Sequence, residues 1–482
     1  MKKEKGAPFQ AAKTRAFRAG GYSVLAGAIV IAIAVAVNIF MDLLPSKYTQ
    51  LDNSAGKLFT LSQQSELLAA GLEEEVEIYW IVQSGQEDEL LGTLLDRYQG
   101  MSDKISVIKK DPDLYPGFAS QYSSGTVYNN SLVVQSGERY RYVDYSGIYE
   151  YDYSSYSSSG YELSFRGESA VTSAIDYVTK SDLPKIYVLS GHGEASLSTA
   201  YESAVEEQNF ELEELELLSA GAVPEDADAL LIYAPQSDIS AQDGEMLRAY
   251  LQKGGKLILI TDPPETEPLS ELEALMAEYG VEAVPGIVIE ADEDNYAWGT
   301  PYYLLPELGE HSITSPLSEE GYRVLLPVAQ GLQISEELPE GVSVAELLSS
   351  SSSAYSKAAG YSLTSYDRED GDTDGPFTLA AAVTAQNEDG SQASILWVSS
   401  AALLDDSSNS QSSGGNQSFF LNGISWMCGQ EDSISIRAVS LGNDYLTISS
   451  RTLSRLSLLF VGLVPLAVLG TGIVIHIRRK RQ

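Results

Sequence analysis

Two side chains able to move protons, His192 and Glu194, stand two positions apart in the run Ser190-Gly191-His192-Gly193-Glu194. The run follows the apolar segment Ile186-Tyr187-Val188-Leu189, which reads as a buried strand, and precedes a helical pattern over about 196–208. Strand-end loops of open α/β sheets are where ligands bind, and the start of the next helix offers free backbone N–H groups. In such a place an imidazole and a carboxylate can serve as base and acid, or as part of a metal site. The other two histidines, His311 and His476, are remote in sequence. The glycines also have a plain reading, since a tight turn and a cap need them without any chemistry. Gly191, His192, Gly193 and Glu194 therefore stand as a ligand or partner loop, with no catalytic residue, cofactor or metal assigned.

Two further strand ends are acidic. Asp111-Pro112-Asp113 and Thr261-Asp262-Pro263-Pro264 each follow an apolar strand pattern. Such carboxylates can hold Mg²⁺ or Ca²⁺, and Asp-Pro equally makes a turn. Cys428 is the single cysteine, so no disulfide can form within the chain; with no histidine near it in sequence, it reads as a packing residue. No GxSxG, HExxH, Walker A or CxxC motif is present.

The elements that carry these loops form two patterns. Before the His192 loop, a helix over 63–70, capped by Thr60 or Ser62 and stopped by Gly71, leads to a strand over 76–82. A helix over 88–99 and a strand over 105–108 follow, and this small α/β unit ends near Tyr122. Residues 123–166 are rich in Tyr, Ser and Gly, with eight tyrosines between Tyr140 and Tyr161. They read as a hairpin with a half-exposed tyrosine face and a loop, or as a carbohydrate-stacking surface. An amphipathic helix spans 168–179.

From Pro184 the pattern becomes a strand–helix alternation. Strands over 186–189, 210–217, 229–234 and 256–260 are interleaved with helices over 241–252 and 269–279. Ser240 and Asp243 form the capping box of the helix over 241–252. Continuous apolar strands joined by helices imply a parallel sheet covered on both faces. Residues 286–330 read as loops and short strands, 378–385 and 395–398 as a strand pair, 419–427 as a closing helix, and about 434–449 as a short β segment.

Apolar runs lie near both ends, over 22–40 and 456–477, each about the length that crosses a hydrocarbon core as a helix. Lys2, Lys3, Lys5, Lys13, Arg15 and Arg18 precede the first, and Arg478, Arg479, Lys480 and Arg481 follow the second. Basic flanks stay cytoplasmic, so both termini are expected inside and the large middle outside. The first run lacks a small-x-small cleavage site, which favours an anchor over a signal peptide. The middle carries 18 basic and 67 acidic residues, a net of −49. That excludes general affinity for nucleic acid.

Together these residues resemble the auxiliary family of ABC transport systems that includes the gliding-motility protein GldG. The resemblance covers nearly the whole chain. It rests on Leu58-Phe59-Thr60-Leu61-Ser62, on Arg97-Tyr98 with Asp111-Pro112-Asp113, and on Ile186 through Glu194. It rests also on Leu230-Leu231-Ile232-Tyr233-Ala234-Pro235, on Gly254-Gly255-Lys256-Leu257-Ile258-Leu259-Ile260-Thr261-Asp262-Pro263, and on Asn422 to Trp426 before a C-terminal span. The resemblance implies an extracytoplasmic domain like the class I glutamine amidotransferase fold, without its cysteine: Gly191-His192-Gly193 stands in that place. It also implies a partner ABC-2-type permease and a separate cytoplasmic ATPase.

The expected fold is α/β, an extracytoplasmic doubly wound, mostly parallel sheet (amidotransferase-like or flavodoxin-like) plus a smaller N-terminal α/β domain, flanked by two transmembrane helices. The expected boundaries are a basic tail 1–21, a transmembrane helix 22–44, the N-terminal α/β domain with its Tyr/Ser-rich hairpin 45–180, the amidotransferase-like domain 184–433, a membrane-proximal segment 434–454, a transmembrane helix 455–477 and a basic tail 478–482. The expected role is a non-enzymatic, membrane-anchored accessory subunit of an ABC-2-type export system. The alternatives are an extracytoplasmic hydrolase or carbohydrate-active enzyme using Gly191 to Glu194, and a wall-associated structural or adhesion protein.

Overall fold

Gln63–Ala70 (α1) starts at Ser62, whose hydroxyl accepts from the Ser65 N–H, and ends at Gly71. Val76–Ile81 (β1) alternates buried and half-buried residues, as a strand with one covered face must. Glu89–Met101 (α2), capped by Asp88, crosses over to Ile105–Lys110 (β2), which pairs with β1 in parallel. The hairpin Ser131–Ser136 (β3) and Arg139–Val143 (β4) completes a sheet in the order β2-β1-β3-β4. Tyr149–Asp152 (β5) and Glu162–Phe165 (β6) pair antiparallel, and Gly167–Thr179 (α3) follows. Glu168, in the first turn of α3, accepts from the Ser62 N–H and the Ser65 hydroxyl, tying α3 to the start of α1.

The structure is a computed structural model that describes residues 60–430 except 124, 153–161, 181 and 266, together with 29, 33, 439 and 440. The chain divides into two units, Met1–Val439 and Ser440–Gln482, and every element named below belongs to the first. The two expected spans, the basic tails and the segment 434–454 lie outside the described residues, save for single positions. Among the described residues no helix is long and apolar enough to cross a membrane.

The second sheet begins at Lys185–Leu189 (β7). Thr199–Glu207 (α4) leads to Glu211–Leu215 (β8), and Ala229–Tyr233 (β9) follows. Ala241–Leu251 (α5), Lys256–Ile260 (β10), Ser270–Ala277 (α6) and Val281–Val284 (β11) come next. Ile287–Ile289 (β12) stands outside this sheet. Gly331–Ile334 (β13), Val342–Ser349 (β14), Thr378–Gln386 (β15), Gln392–Val398 (β16) and the helix Gly415–Met427 (α7) close the unit. β8, β7, β9, β10 and β16 run parallel side by side, the order 2-1-3-4-5 of a flavodoxin-like sheet.

Apolar residues face both ways, so helices cover both faces. Ile186, Leu231, Ile258 and Leu396 pack with Tyr201 and Val205 of α4 and Phe420 and Ile424 of α7. Leu230, Ile232, Leu257 and Leu259 pack with Leu247 and Leu251 of α5 and Leu272 and Met276 of α6.

Beyond β16 the sheet continues with β15, β13 and β11, all antiparallel, and β14 pairs with β15 as well. Residues 286–330 hold short strands and loops, as expected, and the expected pair 378–385 with 395–398 is β15 with β16; the strands of this ten-stranded sheet that the sequence did not announce are β11, β13 and β14. β14 is half-exposed along most of its length, and no continuous apolar run announces it. The strand expected to reach residue 217 stops at Leu215, because Leu217–Ala220 turns into helix and Gly221 closes it at φ 75°. α7 starts at Gly415, earlier than expected. Its buried Asn416 accepts from the Leu325 N–H and donates to the Leu325 carbonyl, so polar residues are held inside that turn.

Candidate functional site

The order 2-1-3 reverses direction between β7 and β9, and the loops leaving those two strands meet there. This is the crevice where open α/β sheets take ligands. Here the crevice is bridged by the chain itself. The His192 carbonyl accepts from the Gln236 N–H (3.0 Å), the Ser237 N–H (3.0 Å) and the Ser237 hydroxyl (3.0 Å). On either side the Ser190 N–H donates to the Leu215 carbonyl and the Ala195 N–H to the Tyr233 carbonyl.

The side chains are pinned as firmly. Glu194 Oε2 accepts from the His192 N–H at 2.7 Å, and its Oε1 lies 3.0 Å from His192 Nδ1. His192 Nε2 lies 3.2 Å from Asp243 Oδ2. The same Asp243 oxygen accepts from the Ser240 hydroxyl at 2.6 Å and the Ser240 N–H at 3.2 Å, completing the capping box of α5. Carboxylates only accept, so both ring contacts are hydrogen bonds together when the imidazole carries both protons. Burial acts to raise the Asp243 carboxyl, but the bonds from Ser240 and His192 outweigh it and hold it below the usual carboxylate range. Asp243 Oδ1 is buried and has no hydrogen-bond partner among the described residues.

The two polar side chains of the loop are largely covered. The His192 side chain is 14% exposed and that of Glu194 only 4%, and the solvent-facing parts of the loop are Gly191 and Gly193. Both glycines hold left-handed backbone, at φ 117° and 77°. The next helix begins at Thr199, with Ser198 as its cap, so it opens farther from the loop than expected. Each ring nitrogen of His192 already faces a carboxylate oxygen, so neither is turned to an open position for a substrate or a metal.

The other sequence candidates are dispersed. Asp111 accepts from the N–H and hydroxyl of Ser84 and from the Asp113 N–H, which makes it a turn former and lowers its carboxyl. Asp262 accepts from the Ala401 N–H at 2.7 Å, and burial raises its carboxyl. Burial likewise pushes the Cys428 thiol up to about 12, so it stays protonated. His311 stacks edge-on against Trp426, with ring centroids 5.3 Å apart. His476 lies outside the described residues. Among the described residues, no cluster of three or more His, Cys, Asp or Glu side chains is arranged to hold a metal. Asp243 is the partner that sequence reasoning missed: its capping role is visible locally, but its meeting with a histidine 51 residues away is not.

A family model described as "ABC-type uncharacterized transport system", an auxiliary family of such systems, matches residues 183–423. That range contains the whole second sheet. No curated protein matches the chain. Among solved structures, one described as mmIFT52 N-terminal domain is 13% identical with a TM-score of 0.38, covering 50% of this chain and 97% of its own. Another, PurLQS from Thermotoga maritima, is 12% identical with a TM-score of 0.25, covering 51% of this chain and 100% of its own.

Proposed function

That the chain belongs to the auxiliary family of ABC-type transport systems is the premise from which we propose its role: a non-enzymatic, membrane-anchored accessory subunit of an ABC-2-type export system. The observation that carries this is the family match, which spans one half of the chain and coincides with the flavodoxin-like sheet. The chain has no ATP-binding loop of its own, in keeping with a separate cytoplasmic ATPase and a separate permease. The apolar runs at 22–44 and 455–477 anchor it, both termini face the cytoplasm, and residues 45–454 stand outside. The amidotransferase-like reading of the sheet belongs to the same proposal.

In this reading Gly191, His192, Gly193 and Glu194 present a partner or ligand surface made of the glycine backbone. His192 and Glu194 hold it in shape from beneath. The support is the pinning of His192 between two carboxylates at the switch point. The alternative of a hydrolase using the same pair finds no support in a ring whose nitrogens are both engaged.

The topology is tested by tagging each terminus and by placing a cysteine at Gly160 in a Cys428→Ser background. In intact cells an impermeant maleimide should label the Gly160→Cys variant, and the terminal tags should be protected. Protection of position 160 would overturn both the topology and the accessory role built on it.

A further inference from the structure

Lys109 and Lys110 end β2, and their fates differ. Lys109 pairs with Glu87 at 3.1 Å. Lys110 has no carboxylate partner among the described residues. Its ammonium instead lies 5.3 Å from the Tyr79 ring, 5.2 Å from Tyr115 and 5.1 Å from Phe118. Three ring faces at that range hold a cation by its attraction to their π-electrons. The rings are themselves braced, Tyr79 edge-on to Phe118 at 4.9 Å and Phe118 against Tyr122 at 5.2 Å.

This nest opens into a cleft of about 290 Å³, near the lower end of the range for small-molecule sites. Lys110, Tyr115, Phe118 and Tyr128 line it, with Pro112 and Pro116. Among the described residues no Asp or Glu lines it, in a chain whose formal net charge is −38. The nearby carboxylates are turned to other work: Asp111 holds Ser84, and Asp113 accepts from the Gln83 amide. The cleft lies at the carboxyl ends of the parallel pair β1 and β2, at Ile81 and Lys110, the end of an open α/β sheet that receives ligands.

We propose that this cleft binds a small ring-bearing anion, of monosaccharide size and carrying a carboxylate or phosphate. Lys110 pairs with the anionic group, and Tyr128, 57% exposed, offers its ring for stacking. Such a ligand matches the cleft in charge, because Lys110 is the only charged residue that lines it among the described residues. The site is separate from the His192 loop and does not rest on the transport reading.

The full chain in detergent should be titrated with D-glucuronate and with benzoate, read by saturation-transfer NMR or calorimetry. D-glucose, benzyl alcohol and acetate are the controls that lack the charge or the ring. At least one ring-bearing anion should bind saturably, and each control at least about tenfold more weakly. Which of the two binds distinguishes a sugar acid from an aromatic acid. Lys110→Met should weaken that binding at least about tenfold. Tyr128→Ala, at an exposed position, should weaken it while leaving the thermal unfolding unchanged. Absence of saturable binding by both anions would overturn the proposal. So would equal affinity in folded Lys110→Met, or acetate binding as tightly as the ring-bearing anion. Should Lys110→Met fail to fold, Tyr128→Ala decides: unchanged affinity in that variant would overturn the stacking site.

Discussion

His192 is the residue around which the crevice closes, and its value is measured by what its loss strands. Replacing it by Ala leaves the Glu194 and Asp243 carboxylates, both nearly buried, without the ring between them. A buried donor or acceptor deprived of its partner costs about 1–3 kcal/mol, and a charged one more. His192→Ala should therefore lower the thermal unfolding temperature of the purified chain, whereas Ser196→Ala, in the exposed part of the same loop, should not. The Asp243 carboxyl adds a pH dependence of known sign. Its native value lies below the unfolded one, so its contribution is fully present above the unfolded value of about 4 and is lost as pH falls through the native value. Unfolding followed from pH 7 down to pH 3 should show a smaller acid loss in Asp243→Asn than in the parent. Equal acid sensitivity in the two would mean that the carboxylate is not bonded to Ser240 and the His192 ring.

At the scale of elements, the loop after β7 is a short bridge fixed at both feet, and its two glycines set its path. Gly191 holds φ at 117°, and a Cβ added at Gly193 would meet Gln236 Cβ at 3.0 Å. A β-branched side chain in that region of backbone is strained by about 1–2 kcal/mol or more. Gly191→Val is expected to destabilise the chain and also to lower transport-dependent phenotypes, because the backbone presented at the crevice mouth would be displaced. A Gly191→Val chain that melts with the parent would show that the loop tolerates another path, and would remove the reason for glycine there. The bridge also explains why the crevice does not stand open: β7 and β9 are neighbours, and their loops spend their polar groups on one another.

For the whole molecule, the prediction concerns company rather than chemistry. The apolar runs 22–40 and 456–477 carry no Asp, Glu, Lys or Arg, and they hold small residues such as Gly27, Ala28, Ala32, Gly470 and Gly472. Spans of that composition associate with other helices through close backbone approach. After mild detergent extraction, the chain should co-purify with a multi-span permease, identified by mass spectrometry of the intact complex. Recovery of the chain alone, under extraction that keeps other membrane complexes whole, would count against the accessory role and leave the cleft at Lys110 to be judged by its own titration.

The parallel half of the main sheet was legible in the sequence because its signals are local. Continuous apolar runs such as 229–234 and 256–260 describe strands buried on both faces, and Ser240 with Asp243 marks a helix start within four residues. Of the antiparallel wing only the pairing of β15 with β16 was legible; β14 was not, since it is half-exposed and its partner lies farther along the chain. The His192 loop could be singled out as a strand-end run, but its burial could not. That depends on the 2-1-3 strand order, which carries the start of α5 to within 3.2 Å of the ring. The aromatic nest around Lys110 has the same origin: Tyr79 comes from β1, Tyr115 and Phe118 from the turn after β2, and only the parallel pairing of the two strands brings them around one ammonium. Sequence alone determined the strands and helices whose signals are local, because propensity and burial pattern act over a few residues. Tertiary structure decided which side chains meet, because strand order is set by packing across the whole sheet.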